Sequence, residues 1–173
     1  KVFGAECAIK AKDNEDRYRR AQELMRGAIQ YAHKKGIQVC LGFEFGIYPP
    51  EIFSIIPPDA LLRCPYLPDP THPANIEILD LYIANIVEAY PQIDYIWFWL
   101  QEMYNPAGKL ALSPAFQNFH EENKHFFDSL HDEFLACNGT WSLAYIQKAR
   151  EILQRRAPQV KMAIGGWGGS TQL

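Results

Sequence analysis

Ile93-Asp94-Tyr95-Ile96-Trp97-Phe98-Trp99-Leu100-Gln101-Glu102 is the stretch on which the fold turns. Six of its first eight residues are β-branched or aromatic, too many for a short helix, and the run reads as a strand that leads into a carboxylate. Just upstream, Ile76, Leu79, Ile83, Ile86, Val87 and Tyr90 recur at helical spacing over 75–90, and Pro91 stops that helix. Further back, Ile37-Gln38-Val39-Cys40-Leu41-Gly42-Phe43-Glu44-Phe45 is apolar on both faces and reads as a parallel strand buried from both sides. Tyr18, Ala21, Leu24, Met25, Ala28, Ile29 and Ala32 mark the helix before it, over 15–35, which Gly36 ends behind Lys34 and Lys35.

Downstream, Phe116, Phe119, Phe127, Leu130 and Phe134 suggest a helix over 114–135, and Trp141, Tyr145, Ala149, Ile152 and Leu153 another over 141–156, with Thr140 as its N-cap. Val160–Gly166 is a third strand, and Lys1–Glu6 reads as the tail of a fourth. Strands alternating with helices imply right-handed crossovers and a parallel sheet, either doubly wound or part of a (β/α)₈ barrel. Long segments follow the strands, as on the catalytic face of a barrel. One of them, 47–73, holds eight prolines from Pro49 to Pro73 and is expected to be a shaped loop without regular helix or strand. The expectation is an α/β chain, residues 1–173 forming a single domain with three to four parallel strands and covering helices, an incomplete portion of a larger TIM barrel. Such a piece leaves both sheet edges unpaired, so an oligomer or the remainder of the barrel is the expected partner.

Composition narrows the function classes. The chain has 173 residues, 48% hydrophobic and 13% aromatic, which suffices for a packed core. Seventeen basic and 20 acidic residues give a net charge of −3, which argues against a polybasic nucleic-acid surface. Apolar runs are broken well before the ~20 residues of a membrane span. The four cysteines, Cys7, Cys40, Cys64 and Cys137, form no C-x-x-C pair and read as free, mostly buried thiols. Asn138-Gly139-Thr140 fits the glycosylation triplet. Localisation stays open: periplasmic or secreted for a polysaccharide-degrading enzyme, cytoplasmic otherwise.

In parallel α/β folds, functional groups sit just past the carboxyl ends of strands. Glu102 and Glu44 occupy that position. Glu102 follows Trp97-Phe98-Trp99-Leu100, and aromatic surroundings would raise its pKa and favour the protonated form that a general acid needs. Glu44 could orient Glu102 or contact a sugar hydroxyl. Tyr48, Tyr104 and Asn105 follow the same strands, and Trp167 follows Gly165-Gly166; rings beside carboxylates and amides suit a carbohydrate, which has an apolar face to stack and a rim of hydroxyls. Trp97 and Trp99, inside the strand, are read as core. No phosphate-cradling glycine motif is present, so no nucleotide cofactor is expected. His33, His72, His120, His125 and His131 lack metal-ligand spacing, with His120, His125 and His131 expected on a solvated helical face, so no metal is expected either. No Ser or Cys nucleophile motif occurs.

Tyr90-Pro91 through Glu102, a helix closing in Tyr-Pro before a strand closing in Glu, resembles the fourth-strand region of (β/α)₈ glycoside hydrolases of the β-N-acetylhexosaminidase and α-glucuronidase type. Helix 15–35 followed by Gly36-Ile37-Gln38-Val39 resembles the preceding unit of those barrels, and the likeness spans residues 15–169. The resemblance implies hydrolysis of an O-glycosidic bond in an oligo- or polysaccharide, with Glu102 as the acid/base. Gln101 stands where hexosaminidases carry an Asp that orients the substrate's acetamido group, and the Asn that precedes the acid in many retaining barrels is also absent. By itself the chain is expected to be inactive, because a late-strand nucleophile is not among its residues. The alternative is a non-catalytic α/β module that binds a sugar or a protein through loop 47–73 and the segment around Trp167.

Overall fold

A computed structural model of the chain describes residues 9–44, 46–62, 67–100, 113–130 and 133–166. Helix α1 (Asn14–Lys34) is opened by Asp13, whose carboxylate accepts from the Asp16 amide, and is closed by Gly36 in the left-handed region at φ 71°. Strand β1 (Cys40–Glu44) follows. The proline-rich connection then departs from its expectation, since it contains helix α2 (Pro50–Phe53), a 3₁₀ turn over Pro58–Ala60, and an antiparallel pair of β2 (Leu61–Leu62) with β3 (Leu67–Pro68). The prolines allow this because Pro50 and Pro58 sit at the first position of their helices, where no amide donor is needed, and Pro68 lies in a two-residue edge strand.

Helix α3 (Pro73–Ala89) also begins on a proline, and the His72 ring caps it by accepting from the Ala74 amide. Strand β4 (Tyr95–Leu100), helix α4 (Pro114–Asn123), a 3₁₀ stretch over Lys124–Leu130, helix α5 (Glu133–Arg156) and strand β5 (Lys161–Gly166) complete the described elements. The helix expected over 114–135 breaks at Asn123, whose side-chain amide turns back onto the Phe119 carbonyl. The next helix begins at Glu133 rather than 141, so Thr140 lies inside it and is no N-cap. Its hydroxyl donates to the Cys137 carbonyl one turn earlier.

The principal sheet is parallel, in the order β1-β4-β5. Strand order follows chain order, α3 packs against α5, and the whole is a mixed α/β arrangement consistent with part of a TIM-barrel-like fold. One face of the sheet carries Leu41 and Phe43 of β1, Ile96 and Phe98 of β4 and Met162 of β5 into a core with Leu79 and Ile83 of α3 and Trp141, Ala149 and Leu153 of α5. Phe43 stands edge-on to both Phe98 and Tyr82, at 4.9 and 4.7 Å between ring centres.

The other face is built in three rows by the register: Cys40, Tyr95 and Lys161; then Gly42, Trp97 and Ala163; then Glu44, Trp99 and Gly165. None of these residues belongs to the core cluster, and Cys40, Gly42 and Glu44 are exposed. Two expectations are corrected here. Strand β1 is covered on one face, and Trp97 and Trp99 are half-buried on the face opposite the helices. The cause is the two-residue period of a strand: once Ile96 and Phe98 meet the helices, their neighbours must point the other way.

Helix α1 shows that periodicity does not guarantee burial. Of its apolar stripe only Ile29 is buried, while Tyr18 and Leu24 are exposed. Polar latches hold it instead. Arg26 Nε donates to the Ala89 carbonyl at the end of α3 at 2.7 Å, and His33 Nε2 lies 2.8 Å from Asp94 Oδ2, which also accepts the Val39 amide at 2.7 Å. The Val39 amide, then His33, hold the Asp94 carboxyl below its ordinary range. A depressed carboxyl contributes stability that is complete above the unfolded value of about 3.9 and is lost as pH falls through the folded one. Urea midpoints measured against pH should therefore drop below about pH 4, and Asp94→Asn should flatten that acid limb while lowering the midpoint at neutral pH.

At the α5 contact with the 3₁₀ stretch, Gly139 has no room for a side chain, since a Cβ there would run into the Phe127 ring. Gly139→Ala in an open helix would gain up to about 1 kcal/mol. Here we expect a loss of about 1–3 kcal/mol in chemical denaturation, partly restored by adding Phe127→Leu.

Candidate functional site

Because the strands of the principal sheet are parallel, their carboxyl ends lie along one edge, and Glu44 is the last residue of β1 on it. Glu44 is exposed, and its register partner on β4 is Trp99. Glu102, Tyr104, Asn105 and Trp167 lie outside the described residues. Of the six site residues expected from sequence, the structure thus positions Glu44 and Tyr48.

Those two go to different surroundings. After β1 the chain turns at Gly46, which has φ 66° and is so close to Trp141 of α5 that a Cβ would stand 3.2 Å from the indole. The turn carries Tyr48 toward the helix layer. Its ring packs at 5.7 Å from Phe53 and its hydroxyl approaches that of Tyr145 on α5. Burial pushes the Tyr48 phenol up, partly offset by Tyr145, and pushes the more deeply buried Tyr145 phenol well up. Glu44, by contrast, shares the face opposite the described helices with Trp97 and Trp99, whose rings are 4.5 Å apart and tilted by 46°.

The segment that follows β1 is fastened to the helices by its own polar groups. Trp141 Nε1 donates to the Pro68 carbonyl at 2.9 Å, and the Asn75 amide donates to the Ala60 and Asp69 carbonyls. Buried Asp69 accepts the Thr71 amide and hydroxyl on one carboxylate oxygen. These anchors were not legible in the sequence, because a DPTHPAN run reads as turn chemistry and nothing local shows that it will be roofed by α5.

Other chemistries are narrowed by what the side chains touch. His120 is corrected from solvated to buried: at 2% exposure it sits between α4 and α5, with Nδ1 2.8 Å from the Thr140 hydroxyl. His125 lies against Phe126, and His131 is outside the described residues. Among the described residues no group of three or more His, Cys, Asp or Glu could hold a metal. Cys40 and Cys137 are free thiols, Cys40 exposed rather than buried. Burial, with Glu133 nearby, pushes the Cys137 thiol up to about 11, which suits packing and not nucleophilic attack. Asn138 and Thr140 are buried within α5, so the glycosylation triplet is not presented at the surface. No helix among the described residues is long and apolar enough to cross a membrane.

The fold and the carboxyl edge define the class: a mixed α/β chain with a three-stranded parallel sheet, covering helices, and a carboxylate whose register partner at the strand ends is a tryptophan. No family model and no curated protein matches the chain. Among solved structures, it is similar to a GH20 exo-β-N-acetylglucosaminidase from Vibrio harveyi in complex with N-acetylglucosamine, with a TM-score of 0.47 and 16% identity over 85% of this chain. The chain spans a quarter of that enzyme's length. A likeness this distant transfers neither activity nor site residues.

The tyrosine pair has a measurable signature. Phenols raised in the folded state contribute stability that is complete below the unfolded value of about 10 and is lost as pH rises beyond it. Ultraviolet titration of the nine tyrosines should therefore show Tyr48 and Tyr145 ionising late, and Tyr145→Phe should make the alkaline loss of stability shallower.

Proposed function

We propose that this chain is part of a glycoside hydrolase that cleaves O-glycosidic bonds in an oligo- or polysaccharide, with Glu102 as the general acid/base and Glu44 as the neighbouring carboxylate. The observation that carries the reading is the placement of Glu44 at the carboxyl edge of a parallel sheet, in register with Trp99, on the strand beside the one whose sequence continues into Gln101-Glu102. A carboxylic acid protonates the leaving oxygen, while a second carboxylate acts as nucleophile or activates water; their separation then sets the stereochemical outcome. Tyr104, Asn105 and Trp167 are the proposed substrate contacts on the segments that follow β4 and β5; Tyr48, turned toward Tyr145 of α5, is not among them. The complete site draws on further strands of the barrel or on a second copy, so the 173-residue chain alone is expected to be inactive.

Aryl glycosides test this. No turnover is expected from the chain alone, and in a polypeptide that supplies the remaining strands Glu102→Gln should lower turnover about 10²–10⁴-fold. Turnover untouched by that substitution would refute the assignment.

A further inference from the structure

We infer that Asp69 and Asn75 form a buried binding site for one small monovalent cation such as Na⁺, which pins the segment after β1 to the start of α3. The site stands apart from the hydrolase reading and does not rest on it. Asp69 is 1% and Asn75 0% exposed, and Asp69 Oδ2 and Asn75 Oδ1 are buried acceptors that meet no donor. The other half of each side chain is already engaged. Asp69 Oδ1 accepts the Thr71 amide and hydroxyl at 2.8 and 2.6 Å, and Asn75 Nδ2 donates to the Ala60 and Asp69 carbonyls at 2.7 and 2.8 Å. Those two carbonyls fix which way the Asn75 amide faces, because only its nitrogen can donate to them. The Ala60 carbonyl also accepts the Asp69 amide at 2.9 Å, so both residues are tied to one buried carbonyl.

Two acceptors without a donor, one of them carrying a formal charge, call for a positive group, since buried charges are paired or bind a metal ion. A water would supply donors and leave the charge uncompensated. Among the described residues no ion pair reaches Asp69. His72, the nearest titratable base in the segment, accepts the Ala74 amide on Nδ1 and turns Nε2 toward Asp59 at 3.8 Å. The Asp69 charge is felt as far as Tyr145 of α5, where it adds to burial and to Tyr48 in pushing the phenol up. Oxygen donors alone select a hard cation. One carboxylate balances one positive charge, and the amino end of α3, which opens at Pro73, adds a partial positive charge of its own. A divalent ion would therefore leave an excess of positive charge in a dry site. With one carboxylate and neutral oxygens, the site differs from the clusters of three or more His, Cys, Asp or Glu that are absent among the described residues.

The test is urea denaturation of the full chain in NaCl and in choline chloride at equal ionic strength, with the ²³Na linewidth in the presence of the folded protein as a direct readout of binding. Sodium at about ten times its dissociation constant should raise the folded-to-unfolded ratio about tenfold, and saturably. The ²³Na line should broaden in proportion to the folded chain. Asp69→Asn keeps the shape and puts an amide donor in place of Oδ2. It should abolish both the sodium dependence and the broadening, and in choline chloride it should be at least as stable as the wild type. A carboxylate that serves only to hold Thr71 would instead make Asp69→Asn less stable by the same factor in both salts, and that result would refute the site. Should Asp69→Asn fail to fold, the wild-type linewidth and midpoints still decide the matter. Equal wild-type midpoints in the two salts without line broadening would overturn the inference in favour of a trapped water. A sodium response that persists in Asp69→Asn would reduce it to a general salt effect, and a response to CaCl₂ at lower concentration than to NaCl would sink the monovalent assignment.

Discussion

Trp97 lies across its sheet because two positions on two other strands have no Cβ. Gly42 pairs with it on β1, and its indole lies against Gly165 of β5, where a Cβ would stand 2.5 Å from the ring nitrogen. In this row the bulk lies in the middle strand, with Gly42 on one side of Trp97 and Ala163 on the other. The same register sends Ile96 and Phe98 the opposite way, into the helices. A slip by one residue would drive the two indoles into the helix layer and strip the core of its two buried central side chains, so the glycines and the core fix one another.

The two ends of the sheet carry different work. At the amino end, Asp94 binds the Val39 amide and His33, and Arg26 caps α3, so β1, β4 and the two helices beside them are tied by polar contacts. That compensates for α1, which buries a single apolar side chain. At the carboxyl end, the connection after β1 is pinned by Trp141, Asn75 and Asp69, and Tyr48 is drawn down to Tyr145. Glu44 is left outside this network, on the open face beside Trp99. Side chains committed to holding the loop and the exposed Glu44 are thereby separated by the alternation of β1 and the turn at Gly46.

Several errors of sequence reading have one root. His120 and Thr140 are twenty residues apart and meet only because α4 folds back on α5. Asn138-Gly139-Thr140 has the pattern of a surface triplet, yet Gly139 is there to admit the Phe127 ring. Prolines in 47–73 point to a shaped loop without regular helix or strand, although at the first turn of a helix a proline costs no hydrogen bond. In each case the local pattern was read correctly as chemistry and wrongly as environment, because burial belongs to pairs of segments and not to one.

What the chain's order of residues determined alone was the set of elements: helix spacing in Tyr18–Ala32 and Ile76–Tyr90, β-rich runs after Gly36 and Pro91, and therefore parallel strands with a carboxylate at the end of β1. These follow from backbone preferences and periodicity, which act over a few residues. Tertiary structure decided which face of each strand is buried, that the tryptophans of β4 face away from the helices, and that Tyr48 serves the loop while Glu44 stands open. Those outcomes depend on contacts between residues such as Gly165 and Trp97, and no local stretch contains both.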